Sequence, residues 1–117
     1  MARTIAAVAT QAWAFTDLDG RIESASRDVG SLLGVGMLRR GDNLLNLFPL
    51  PRKAILHDIE AAWRGWPASR AMSIDAPGLR ERKVRYRVSR RLEQTGEGLF
   101  WLLDEPASDR RAVTASA

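Results

Sequence analysis

The stretch from Arg82 to Leu92 alternates with a period of two, with Val84, Tyr86 and Val88 on one side and Lys83, Arg85, Arg87 and Ser89 on the other. Successive side chains of an extended chain point to opposite faces, so this pattern predicts a β-strand with one covered face and one wet face. Such a strand needs neighbours and a cover. Ser69–Asp75 precedes it across Pro77-Gly78, and Leu99–Glu105 follows it across Gly96-Glu97-Gly98, so three strands are predicted in succession. Leu99 to Leu103 is apolar at every position, and both of its faces therefore want cover.

The cover is encoded upstream. Arg52–Trp66 is the clearest predicted helix. With Ile55 at zero and about 100° per residue, Ile59 falls near 40°, Ala62 near 340°, Trp63 near 80° and Trp66 near 20°, one apolar stripe. Gly65 and Pro67 mark its end. Before it, Leu44, Leu45, Leu47 and Phe48 form an apolar knot closed by Pro49 and Pro51. Ser26 is placed to cap a short helix carrying Val29, Leu32 and Leu33, with Gly34 suited to terminate it, and Gly34 to Gly41 is expected to hold only short helical turns. Ala12–Thr16, with Trp13 and Phe15 on one face, and Arg21–Ser24 read as a hairpin around the turn residues Asp17-Leu18-Asp19-Gly20. Residues 2–10 read as a short helix with Ile5 and Val8 on one side. The expected organisation is an N-terminal capping segment over 1–11, one domain over 12–105 and a flexible tail or linker over 106–117. Strands at both ends with helices between them predict an α+β domain, a five-stranded antiparallel sheet with its helices on one face.

The order and spacing of these segments resemble a PAS domain. The opening Trp13-Ala-Phe-Thr-Asp17-Leu-Asp-Gly20-Arg-Ile22 and Ser26-Arg-Asp-Val-Gly-Ser-Leu-Leu-Gly34 resemble that family's first hairpin and first helix. Gly41-Asp-Asn-Leu-Leu-Asn-Leu-Phe-Pro49 resembles its approach to the long helix, and Leu99-Phe-Trp-Leu-Leu-Asp104 its closing strand. The family often has Asn where Ser26 stands, and an aliphatic residue and Thr where Glu105 and Pro106 follow Asp104. The resemblance implies a sensory and dimerising module, tied to a histidine kinase, a cyclic-nucleotide enzyme or a transcription regulator, with Asp104 as the point that couples the closing strand to an output. It implies regulation by a ligand or partner rather than catalysis, and it does not identify a ligand.

Composition narrows the chemistry. The chain has 117 residues, enough for one domain, with no Cys and a single His. The missing thiols exclude disulfides, thiolate metal sites and a cysteine nucleophile. They also exclude a cysteinyl–flavin photoadduct, while non-covalent flavin stays open. Haem-binding relatives of the family carry an axial His on the long helix. His57 falls near 200° on the wheel, opposite the apolar stripe, where a ligand to a buried haem should not lie. Asp17 and Asp19 lack the further oxygen ligands of a calcium loop and read as turn residues. Gly34-Val-Gly36 lacks the third glycine of a dinucleotide site, and Gly30-Ser31 lacks the spacing of a nucleophile elbow. No catalytic constellation is left, so the chain is expected not to be an enzyme. No stretch approaches a membrane span, and the start is too short and weakly apolar for a secretory signal, so the expected location is cytoplasmic.

Three candidate surfaces follow. Leu33, Leu47, Ile55, Ile59, Trp63, Val84, Tyr86 and Val88 should converge between helix and sheet, where they either line a small-molecule cavity or fill it. Eighteen basic and fourteen acidic residues give a net charge of +4, yet Arg80 to Leu92 holds seven basic residues and one acidic. Lys83, Arg85 and Arg87, with Arg91 beyond, therefore form a basic row that is either a solvated sheet face or a dock for an acidic protein. Nucleic acid is the weaker partner, because the strand lacks aromatic stacking platforms. Finally, whichever of Phe100/Leu102 or Leu99/Trp101/Leu103 faces away from the helices leaves an apolar row, which predicts a homodimer or an intrachain cap. Phe100 and Leu102 are assigned to the partner face. The expected function is a sensory and dimerisation module, with a ligand-free scaffold docking an acidic partner as the alternative.

Overall fold

The computed structural model describes residues 12–75, 81–91 and 97–106. Five strands form one antiparallel sheet: β1 (Ala12–Thr16), β2 (Ile22–Ala25), β3 (Ala68–Ile74), β4 (Arg82–Arg90) and β5 (Leu99–Asp104), in the order β2-β1-β5-β4-β3. Between β2 and β3 come α1 (Asp28–Leu33), a single 3-10 turn over Leu44–Leu47 and the long helix α2 (Arg52–Trp63). The first and last strands of the chain thus meet at the centre, where β1 pairs β5 with Ala14 opposite Trp101. This is the α+β architecture expected from the sequence. The predicted helix 2–10 lies outside the described residues, as does the predicted tail 106–117 beyond Pro106.

Strand alternation sets the two faces. Ala12, Ala14, Val84, Tyr86, Val88, Leu99, Trp101 and Leu103 are fully buried beneath the helices. All the residues of β5 are apolar down to Asp104, and the alternation of its neighbours decides which row turns inward: Tyr86 pairs with Leu103 and Val88 with Trp101. Leu99, Trp101 and Leu103 therefore face the core, and Phe100 and Leu102 face away from it.

Three local expectations are corrected. Ser26 does not cap α1. Its Oγ accepts the backbone N–H of Trp13 at 3.0 Å, and the helix starts at Asp28 without a side-chain cap. The reason is that β2 ends at Ala25, so β1 needs a hydrogen-bond acceptor just past the last strand pair. Gly34 does close α1 in the left-handed conformation, but the residues after it form no helical turn. They run back along β2, whose Ile22 donates its N–H to Asp42 O and accepts from Gly41 N, each at 2.8 Å. That contact covers part of an otherwise open sheet edge. The third correction concerns α2, which ends at Trp63 rather than Trp66. Gly65 takes φ +95°, a conformation that leaves the helix, and Trp66 departs from the apolar stripe to stand 72% exposed.

Candidate functional site

The space between α2 and the sheet is centred on three aromatic rings. Phe48, just past the 3-10 turn, stacks on Tyr86 with centroids 5.0 Å apart, and Tyr86 meets Trp101 edge-on at 5.2 Å. Phe48 and Trp101 lie 5.5 Å apart, which closes the cluster. Each polar atom on these rings has a buried partner, as burial demands. Trp101 Nε1 donates to Thr16 Oγ1 at 2.9 Å, and that hydroxyl donates in turn to the carbonyl of Asp17. The Tyr86 hydroxyl donates to Asp58 Oδ2 at 2.5 Å.

Asp58 is the junction of the site. It is buried on α2 and accepts two hydrogen bonds from Arg70 of β3, Nε to Oδ2 at 2.7 Å and a terminal guanidinium nitrogen to Oδ1 at 3.0 Å. Arg70 and Tyr86 are direct cross-strand neighbours, so one carboxylate ties the long helix to two strands. Burial alone would raise the Asp58 carboxyl, but the hydrogen bonds from Arg70 and Tyr86, with the Arg70 charge, outweigh it and hold the group below its ordinary value. The hydrogen bond to Asp58 raises Arg70. Burial, then the hydrogen bond to Asp58 and its charge, raise the Tyr86 phenol. At neutral pH the three groups are therefore carboxylate, guanidinium and phenol, each in the state that its partners need.

Seven of the eight residues predicted between helix and sheet lie in or against the core: Leu33, Ile55, Ile59, Val84, Tyr86 and Val88 are buried, and Leu47 packs on the cluster. Trp63 stands at the rim, half-buried, with the Arg90 guanidinium 4.1 Å from its ring. Asp58 and Arg70 belong to no sequence motif, although each carries a positional signal. Asp58 falls near 300° on the wheel, about 40° beyond Ala62 at the edge of the buried stripe. Arg70 shares the face of Met72 and Ile74 on β3. A carboxylate on the covered face of a helix and a guanidinium on the covered face of a strand are natural partners.

The outer face of the sheet is different. Trp13, Phe15, Phe100 and Leu102 form a continuous apolar row across β1 and β5, with Phe15 between Trp13 at 5.6 Å and Phe100 at 4.9 Å. Trp13 is 38% exposed. Of the basic row beside it, Arg85 is held in a two-bond pair by Asp104 at 3.0 and 3.2 Å, and Lys83 donates to Ser73 Oγ. Arg91 lies over Phe15 and pairs with Glu23. Arg87 is exposed. Two residues assigned to separate roles, Arg85 and Asp104, are thus one cross-strand pair.

His57 is exposed on the far side of α2, in a shallow recess of about 280 Å³ with Glu60, Ala61, Arg64 and Trp66. Asp17 works as a turn residue, its Oδ1 accepting the backbone N–H groups of Asp19 and Arg21. No group of three or more His, Asp or Glu is arranged to hold a metal ion among the described residues, and none of their helices is long and apolar enough to cross a membrane.

No protein-family model and no curated protein sequence matches the chain. Its backbone, in contrast, superposes on solved domains over most of both chains. The PAS domain of Bordetella pertussis BvgS is matched at TM-score 0.59 with 16% identity, over 97% of this chain and 92% of that one. The PAS domain of an HTR-like protein from Haloarcula marismortui is matched at TM-score 0.64 with 10% identity, over 90% and 93%. This chain has the PAS fold. The light-state structure of the blue-light photoreceptor Aureochrome1 LOV, at TM-score 0.64 and 16% identity over 97% and 94%, extends the likeness to LOV domains. Within the PAS fold, the ring cluster and Asp58 sit between the long helix and the sheet, and the Trp13–Leu102 row lies on the sheet's opposite face.

Proposed function

We propose that this chain is a non-enzymatic PAS-type sensory and dimerisation module of a cytoplasmic signal-transduction protein, such as a histidine kinase, a cyclic-nucleotide enzyme or a transcription regulator, and that it works as a homodimer joined through the outer sheet face. The observation that carries the reading is the row Trp13, Phe15, Phe100 and Leu102 on the face away from the helices. Large apolar side chains gathered on one partly exposed sheet face support an association surface. The row lies on β1 and β5, whose pairing also closes the core, so a change in how α2 packs reaches the interface through two strands. Asp104 ends β5 and is anchored to Arg85, which makes the strand's exit the coupling point to an output. The Phe48, Tyr86 and Trp101 cluster occupies the middle of the helix–sheet space, and this favours signalling by association over signalling by a large resident cofactor. The alternative dock for an acidic partner has less support, because Arg85 and Lys83 are already engaged.

Sedimentation over a range of protein concentrations tests the proposal. The wild-type chain is expected to dimerise, and Leu102→Glu to be monomeric while keeping its circular dichroism spectrum and melting transition. A wild-type monomer at every concentration, or a Leu102→Glu dimer of undiminished affinity, would overturn the homodimer.

A further inference from the structure

A concavity lies at the β2 edge of the sheet, where the irregular chain after α1 returns alongside the hairpin. It measures about 530 Å³ and is bordered by Arg27, Arg39 and Arg40. No lining residue is acidic. Among the described residues, no side chain pairs with any of these three guanidiniums. Elsewhere Arg52, Arg64, Arg70, Arg82, Arg85 and Arg90 each bond to a protein oxygen, whereas Arg21 and Arg87, like the three at the hollow, have no side-chain partner among the described residues. Three arginines without a side-chain partner concentrate positive charge at one hollow, and an anion bound there offsets it.

The rest of the lining is partly apolar. Ile22 and Leu38 border the hollow together with Met37, which is 85% exposed and also borders a smaller recess of about 230 Å³ that shares Arg27. The planar guanidinium fork can meet two oxygens of a tetrahedral phosphate at once, a match that no other side chain offers. A volume of this size suits a small organic molecule, and the unbranched thioether of Met37 adapts its shape to what it covers.

We infer that the hollow bordered by Arg27, Arg39 and Arg40 binds a phosphate-bearing small organic molecule, with its phosphates on the arginines and its apolar part against Ile22, Met37 and Leu38. This site shares no lining residue with the row Trp13, Phe15, Phe100 and Leu102. Ligand binding here acts on the β2 edge, which the returning chain joins through Gly41 and Asp42.

The test is an amide NMR titration of the full chain with adenosine triphosphate and, separately, with inorganic pyrophosphate. Adenosine triphosphate is expected to shift amides in 22–27 and 37–40, and to bind more tightly than pyrophosphate. The Arg39→Gln/Arg40→Gln double variant is expected to weaken binding by about tenfold or more, through loss of charge-assisted hydrogen bonds, while Arg87→Gln leaves it within about twofold. Both substitutions fall on exposed side chains, and a thermal melt checks that the fold is retained. Shifts centred on Lys83 and Arg87, unchanged affinity in the double variant, or no saturable binding would overturn the site. Equal affinity for the two probes would overturn the assignment of an organic ligand.

Discussion

On the inner face of the sheet Trp101 is wholly buried, its indole N–H donates to Thr16, and Phe48 and Tyr86 pack against its ring. On the outer face, one strand away, Trp13 meets Phe15 edge-on and still leaves 38% of its surface exposed. Both are tryptophans in neighbouring strands of one sheet, so neither residue type nor strand position explains the contrast. What separates them is the parity of the pleat and the presence of a cover. The inner rings have α2 and the 3-10 turn above them and a partner for every polar atom. Among the described residues, the outer rings have one another and the Arg91 guanidinium over Phe15. A face finished in this way contributes stability, and the partly exposed face is where the proposed association would form.

The comparison predicts a ranking of effects. Trp101→Ala should cost the most, about 3–5 kcal/mol, because it empties the ring cluster and strands the Thr16 hydroxyl. Chemical denaturation at low protein concentration measures it. A loss below about 1 kcal/mol would mean that the inner face is not the close-packed one.

Asp58→Asn should come second, at about 2–3 kcal/mol. That lies at or below the low end for a broken buried pair, since the Arg70 side chain is 34% exposed and water takes over part of its solvation. Acid should mimic the substitution. The Asp58 carboxyl titrates below its unfolded value, so its contribution is intact above about pH 4 and is lost as pH falls from there through the folded value. Between pH 6 and pH 3 the urea midpoint of the wild type should therefore drop further than that of Asp58→Asn. Equal drops would show that the carboxylate junction does not hold helix to sheet.

Trp13→Ala should have the smallest effect on the isolated chain, under about 1 kcal/mol, because a half-covered ring loses little on truncation. If it destabilises the monomer as much as Trp101→Ala does, the two faces are equivalent and the distinction between them fails.

Much of this was legible in the residues. The alternation of Val84, Tyr86 and Val88, the turn chemistry of Asp17 and the stripe through Ile55 and Ile59 all report local geometry, and local geometry repeats in sequence. The misreadings share a cause. Ser26 was read as a helix cap because its side chain is suited to that role, but the same hydroxyl equally suits a β1 N–H that only the hairpin brings near. Trp66 continues the wheel arithmetically, and the left-handed Gly65 breaks it. Arg85 and Asp104 stand 19 residues apart, and their pairing depends on strand register.

The amino-acid sequence by itself determined the element order, the covered face of β4 and the exclusion of thiol chemistry, because each is a property of one segment or of the composition. Tertiary structure alone decided which row of the all-apolar β5 turned inward, that Asp58 meets both Arg70 and Tyr86, and that Arg27 borders the same hollow as Arg39 and Arg40. Those are meetings between segments, set by register and packing, and a linear pattern carries no term for them.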